Sequence, residues 1–286
     1  MDSVYVLLLL STIRLSLPLF FAAIGAYFSE KSGVAQIALE SYLLVGAFTA
    51  ASATYFSHSV IVGYLSAALV TALFAQVFCI LILKFKGNSI VIGTGMNLLA
   101  MGLIPIVSKT LFNSTGSTPS LELPEFNSYL PYLTLIAVVM VSYWLSEKTI
   151  WGLQMKFAGE KKLALQSVGI SATVRQWQSV TFSALVTGLG GAVLSTALSS
   201  SYSPLMSAGR GFIALAALIF SGWNFGRALF VCLFFGFCEA LQIQLQSNQL
   251  ISMYIAAEFI QMIPYAATLL ALLLMKSKFS APAELR

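Results

Sequence analysis

WGLQMKFAGEKKLALQSVGIS, residues Trp151–Ser171, separates two long apolar segments and carries Lys156, Glu160, Lys161 and Lys162. Four charges this close together have no place in hydrocarbon, so the stretch sits in water between two membrane crossings. Within it, Leu163, Leu165 and Val168 mark a short amphipathic turn, with Gly159 before it and Gly169 after it. A small helix bounded by glycines on the basic side of a membrane protein suits docking to a soluble partner. An ordinary loop with a surface helix fits the same pattern.

Composition agrees with this membrane reading. Hydrophobic residues make up 58% of the 286 residues, charged residues only 9%, and the mean hydropathy is +0.89. A soluble domain carries about a quarter charged residues. Apolar stretches long enough to cross about 30 Å of hydrocarbon recur from end to end, and no polar stretch is long enough for a separate soluble domain. Residues 1–286 therefore read as one all-α, polytopic transmembrane helical bundle.

Charge placement sets an expected topology. The net charge of +5 comes from basic residues scattered at segment ends, a footprint of membrane orientation rather than of nucleic-acid binding. Lys148, Lys156, Lys161, Lys162 and Arg175 concentrate around Trp151–Ser171, and Lys84 and Lys86 mark a second cytoplasmic turn. Asn113–Asn127, with Glu122 and Glu125 but no Lys or Arg, reads as an outward loop, and Gln246–Gln249 as a polar outer turn. Counting by length gives about nine crossings, with the N-terminus outside and the C-terminus, after Lys276 and Lys278, inside. Segments such as Gly211–Gly222 are short enough to be re-entrant half-helices. Gly188–Gly191 (GLGG) marks either a close helix approach or a bend. The N-terminus has no basic region before its apolar run and no small-residue cleavage site, so no removable signal is expected.

The chemistry available is sparse. His58 is the only histidine and Asp2 the only aspartate, so a histidine triad, a multi-histidine metal site and an aspartate pair are all unavailable. Neither a P-loop nor a GxSxG or HExxH signature occurs. Cys79, Cys232 and Cys238 fall inside apolar segments and read as buried thiols. No enzymatic activity, cofactor or metal is expected.

The polar residues inside apolar segments remain. Gln36, Glu40, Asn97 and Glu239 either line a polar route or hydrogen-bond between helices to fix the bundle. Glu239 lies near the middle of a long segment that offers it a private partner, and Glu258 reads as interfacial. Arg14, near the middle of the first segment, should face protein or water.

Five stretches in order resemble the inner-membrane permeases of ABC importers for ribose-like sugars and nucleosides, of type II-like architecture. They are FSEKSGVAQIALES (Phe28–Ser41), GTGMNLLAMGL (Gly93–Leu103), FAGEKKLALQSVGI (Phe157–Ile170), the run from Gly209 to Gln246, and MIPYAATLLALLL (Met262–Leu274). The match is nearest to the short permease of the nucleoside-type subgroup. The resemblance implies that residues 151–173 form a coupling loop seated in a separate cassette ATPase, with Gly159, Glu160, Leu163, Ala164, Val168 and Gly169 matching the coupling motif. It also implies a second, longer permease and a substrate-binding lipoprotein, in the lipid of the bacterial inner membrane. Gln36, Glu40 and Asn97 are the candidate substrate-path residues.

Two departures from the family pattern stand out. Lys161-Lys162 replaces the usual Asn-Pro, and Gln36, Ala38 and Ser41 replace an Asn and two Gly around Glu40. The implied solute is nucleoside-like or riboflavin-like. A contrasting reading makes the chain a stand-alone secondary transporter or channel, with Glu40 as the ion or proton site.

Overall fold

The computed structural model describes residues 2–114, 116–121, 129–247, 259–260, 262–274 and 281–285. The outer-loop acids Glu122 and Glu125, Asn248 and Gln249 of the outer turn, Glu258, and the C-terminal Lys276 and Lys278 lie outside the described residues. Eleven α-helices follow one another, and no strand occurs among the described residues. They are α1 (Asp2–Lys31), α2 (Leu39–Ser57), α3 (Val60–Cys79), α4 (Ser89–Phe112), α5 (Leu130–Lys148) and α6 (Ile150–Glu160). Then come α7 (Lys162–Ser167), α8 (Ala172–Val193), α9 (Arg210–Phe220), α10 (Phe225–Ser247) and α11 (Ile263–Leu274). α3 and α8 each run on into a π-helical turn, Ile80–Lys84 and Leu194–Leu198.

Six helices among the described residues are long and apolar enough to cross a bilayer: α1, α3, α4, α5, α8 and α10. Of the other three expected crossings, α2 is a buried helix, α9 is short, and the last segment is only partly described. α8 is the central post, with 72% of its apolar stretch buried against 17% for α5. It packs on α1, α2 and α3, while α1 also holds α9 and α10. Leu69 and Leu73 of α3, Val91, Leu98 and Ile106 of α4, and Ile136 and Met140 of α5 point outward. Such an apolar exterior is tolerable only where lipid or another subunit covers it.

The glycines of α8 explain how the post fits. A Cβ at Gly46 of α2 would run into the Gly188 backbone, and one at Gly188 would meet Thr71 Oγ1 of α3 at 2.7 Å. A Cβ at Gly191 would approach the Ala47 nitrogen to 2.6 Å. The GLGG run is thus a close approach to α2 and α3, within a helix that continues unbroken to Val193.

α9 is a half-helix. Its 11 residues span about 16 Å, half of the hydrocarbon thickness. The chain comes down to it from α8 without helical structure. That descent is tied to the α4–α5 loop by Tyr202 N donating to Thr118 Oγ1 (2.9 Å) and Leu121 N donating to the Ser200 carbonyl (2.8 Å). At its far end, Trp223 Nε1 donates to Glu30 Oε2 at 2.6 Å, beside the end of α1. The short segment Gly211–Gly222 therefore does form a half-helix, with its N-terminus inside the bundle.

α6, α7 and the C-terminal turn Ala283–Leu285 gather at the end of the bundle where α1 finishes, called basal here. The first residues of α1 lie at the opposite, apical end, with the α4–α5 loop and the close of α8. The described N-terminus and C-terminal turn thus occupy opposite ends.

Candidate functional site

At the basal end the quoted loop folds into two short helices. Thr149 caps α6, its Oγ1 accepting from Gly152 N at 3.1 Å. Gly159 then passes so close to the Lys31 carbonyl and Gly33 nitrogen that no side chain fits. Gly33 itself turns at φ +87°, a conformation that favours glycine. α7 buries Leu165 against Ala158 and Ala172, which rotates its other apolar side chains outward. Leu163 is 80% exposed and Val168 67% exposed. Of the six residues matched to the coupling motif, Gly159 is buried beneath the loop. Glu160, Leu163, Ala164, Val168 and Gly169 face solvent together.

Lys162 Nζ lies 2.6 Å from Glu284 Oε2 in the C-terminal turn, and the Glu284 Cβ packs over Gly33. One of the two lysines that replace Asn-Pro thus ties the loop to the tail. Lys161 precedes α7 as its N-cap without a capping side chain.

From Gly33 the chain climbs through a buried, non-helical stretch into α2. Ser29 Oγ donates to the Val34 carbonyl (2.9 Å) and Gln176 Nε2 to the Ser32 carbonyl (2.9 Å). Gln36 is wholly buried and accepts from Ser29 Oγ at 3.3 Å. Asn97 of α4 uses both ends of its amide here, accepting from Ser41 N (2.9 Å) and donating to the Ile37 carbonyl (3.1 Å). α2 lacks a cap of its own, so Asn97 caps it from another helix.

Glu40 closes the same layer. Its Oε1 accepts from Ser207 Oγ (2.6 Å) and Gly209 N (2.8 Å), and its Oε2 accepts from Gly211 N (2.8 Å). Glu40 is 4% exposed, and its carboxyl group sits on the positive end of the α9 half-helix. Three donors occupy it. In this conformation Glu40 is a cap that fixes α9 to α2, with two donors on Oε1 and one on Oε2. Glu40 and Asn97 thus join other helices to the start of α2, while Gln36, in the linker before it, bonds back to Ser29 of α1.

The residues that face open space are different ones. Arg210, the first residue of α9, forms an ion pair with Glu239 of α10, and its Nη1 donates to the Met206 carbonyl at 3.0 Å. Glu239 has the private partner its position suggested. Arg210 escaped the sequence reading because it lies 29 residues from Glu239, beyond any helical spacing. Arg14 does face protein, its Nη2 donating to the Ala197 carbonyl at 2.7 Å. A cavity of about 630 Å³ opens between Arg14 and Arg210, and another of about 270 Å³ lies on the other side of the ion pair. No group of three potential metal-ligating acids, histidines or cysteines occurs among the described residues.

Residues 8–275 match the family described as "Branched-chain amino acid transport system / permease component". The nucleoside ABC transporter permease protein NupC of Lactococcus lactis subsp. cremoris is 29% identical over 304 residues, covering 93% of this chain and 91% of that protein. The guanosine ABC transporter permease protein NupQ of Bacillus subtilis is 29% identical over 301 residues, covering 95% and 93%. No solved structure matches significantly. A multi-pass bundle with a polar layer at mid-depth and a two-helix basal loop is what such a permease needs, and the chain belongs to this family of ABC importer permeases.

Proposed function

We propose that this chain is the membrane-spanning subunit of an importer for a nucleoside-like or riboflavin-like solute, driven by a separate ATPase bound beneath α6 and α7. The observation that carries this is the basal loop: Leu163 of α7 and Val168 just after it stand in solvent, and the preceding helix α6 packs through Gly159 against the end of α1. Exposed apolar side chains on a rigid, well-seated helix suit insertion into a groove of a soluble partner. The names of the two relatives, one for nucleosides and one for guanosine, support the solute class. In this reading the chain sits in the bacterial inner membrane with α6 and α7 in the cytoplasm. A second permease completes the pore and a lipoprotein delivers the solute. The chain itself catalyses nothing.

Mechanically, the loop is connected to the interior by contiguous contacts. Gly159 touches Gly33, the stretch after Gly33 leads to Glu40, and Glu40 holds the N-terminus of α9. ATP-driven closure of the partner would shift α6 as a rigid piece and drag the α9 terminus with it. The stand-alone reading needs Glu40 free to exchange an ion, and its three donors argue against that. Vesicles containing the complete assembly should accumulate guanosine or riboflavin only when supplied with ATP. Uptake by this chain alone, driven by an ion gradient, would overturn the proposal.

A further inference from the structure

The Arg210–Glu239 pair joins α9 to α10, but unlike the Glu40 cap it borders open space. Arg14 and Arg210 both line the larger cavity, together with Ser11, Gln244 and Ser247. Arg210 and Ile243 line both cavities, and Glu239 lines the smaller one, so the Arg210–Glu239 pair forms the partition between them. At 1.5 Å per residue, Glu239 lies about 21 Å along α10 from its basal start at Phe225. The partition is therefore near mid-depth, with Arg14 above it in the apical half. A guanidinium facing a void inside a bilayer is stable only if the void holds water or a polar molecule. Arg210 borders open space on both sides of the pair, and Glu239 borders it on one.

We propose that the larger cavity is a water-filled outer vestibule where this chain receives its solute, and that the Arg210–Glu239 pair is its floor, separating in each transport cycle. The proposal rests on the importer reading and moves the solute contacts from Gln36, Glu40 and Asn97 to Arg14, Arg210 and Glu239. The chemistry fits an uncharged, hydroxyl-bearing heteroaromatic molecule. Guanidinium planes stack on flat rings, the carboxylate accepts from ring N–H or hydroxyl groups, and Leu15, Leu194 and Met206 supply apolar walls. An anionic head would normally seek a half-helix N-terminus, but Glu40 already occupies the one on α9. Floor and coupling loop are linked through that cap, because Arg210 directly follows Gly209, which Glu40 holds.

Cysteine accessibility in intact cells tests this directly. The native Cys79, Cys232 and Cys238 are buried and give little background. In the full assembly, Ser11→Cys and Gln244→Cys should react with a membrane-impermeant maleimide added outside, and excess guanosine or riboflavin should slow the reaction several-fold. Ile213→Cys, in the smaller cavity, should stay unlabelled until Glu239→Gln breaks the floor. Ser57→Cys, on the exposed apical turn, serves as the accessible control. Failure of Ser11→Cys and Gln244→Cys to label while the control labels would overturn the vestibule. Labelling of Ile213→Cys with the pair intact would overturn the floor, and labelling untouched by either solute would overturn the solute contacts. ATP-driven uptake measured in the same cells reports on the importer reading separately.

Discussion

Glu40 shows how much one side chain can hold. Its carboxylate accepts three hydrogen bonds inside the bundle, two of them from backbone nitrogens that α9 cannot satisfy itself. Hydrogen bonds to a charged group contribute roughly 1.5–3 kcal/mol each, and donors left buried without an acceptor cost about as much again. Glu40→Ala should therefore lower the unfolding temperature of the detergent-solubilised protein markedly. Glu40→Gln keeps one acceptor oxygen and should lose less. If Glu40 were instead a proton site, both variants would leave stability near wild type while abolishing transport, so thermal unfolding read beside uptake separates the two roles. Asn97→Leu removes the external cap on α2 and should cost about 1 kcal/mol in the same measurement.

Among the elements, α8 and α9 carry opposite lessons. α8 works because it is narrow where it crosses α2 and α3, so Gly188→Leu would force a side chain into Thr71 and Ala67. Overpacking typically costs about 1–3 kcal/mol, and here the obstacle includes backbone. The expected result is a sharp fall in the yield of folded, monodisperse protein; normal yield would mean that the helices separate readily at this crossing. Length left a half-helix at α9 open beside a crossing, because the 11 residues between Gly209 and Ser221, Arg210 among them, are too few to span a bilayer. Its partners were not legible. Glu40, Ser207 and Gly209 meet across more than 160 residues, and Arg210 meets Glu239 across 29. Helical periodicity extends only a few residues, so it registers that a charge is buried without saying which charge answers it. For the same reason Gln36, Glu40 and Asn97 read from sequence as route residues, and the hydrogen bonds that Glu40 and Asn97 make to other helices were not visible there. The basal loop was legible as a charged, helical stretch because its lysines and glycines are local, but it folds into two helices rather than one and Gly159 lies inside the first.

At the scale of the whole molecule, the proposed function makes the bundle a lever between two ends. The basal end presents Leu163 and Val168 to solvent, the middle holds α9 by Glu40, and the apical cavity ends on Arg210. Gly159 packs α6 against the end of α1, so in the proposed importer Gly159→Leu should disturb coupling while the bundle itself still folds. That variant should keep normal amounts of protein in the membrane and lose ATP-driven uptake; full uptake would remove α6 from the transmission path. The account stands or falls on what docks beneath α7. Affinity purification from native membranes, comparing the wild-type chain with Leu163→Asp, tests this most directly because Leu163 is 80% exposed and its loss does not disturb the core. The wild type should bring down a P-loop ATPase, and Leu163→Asp should fold equally well but lose it. A wild-type chain purified alone, or an ATPase recovered equally with both, would contradict the docking of an ATPase on this loop.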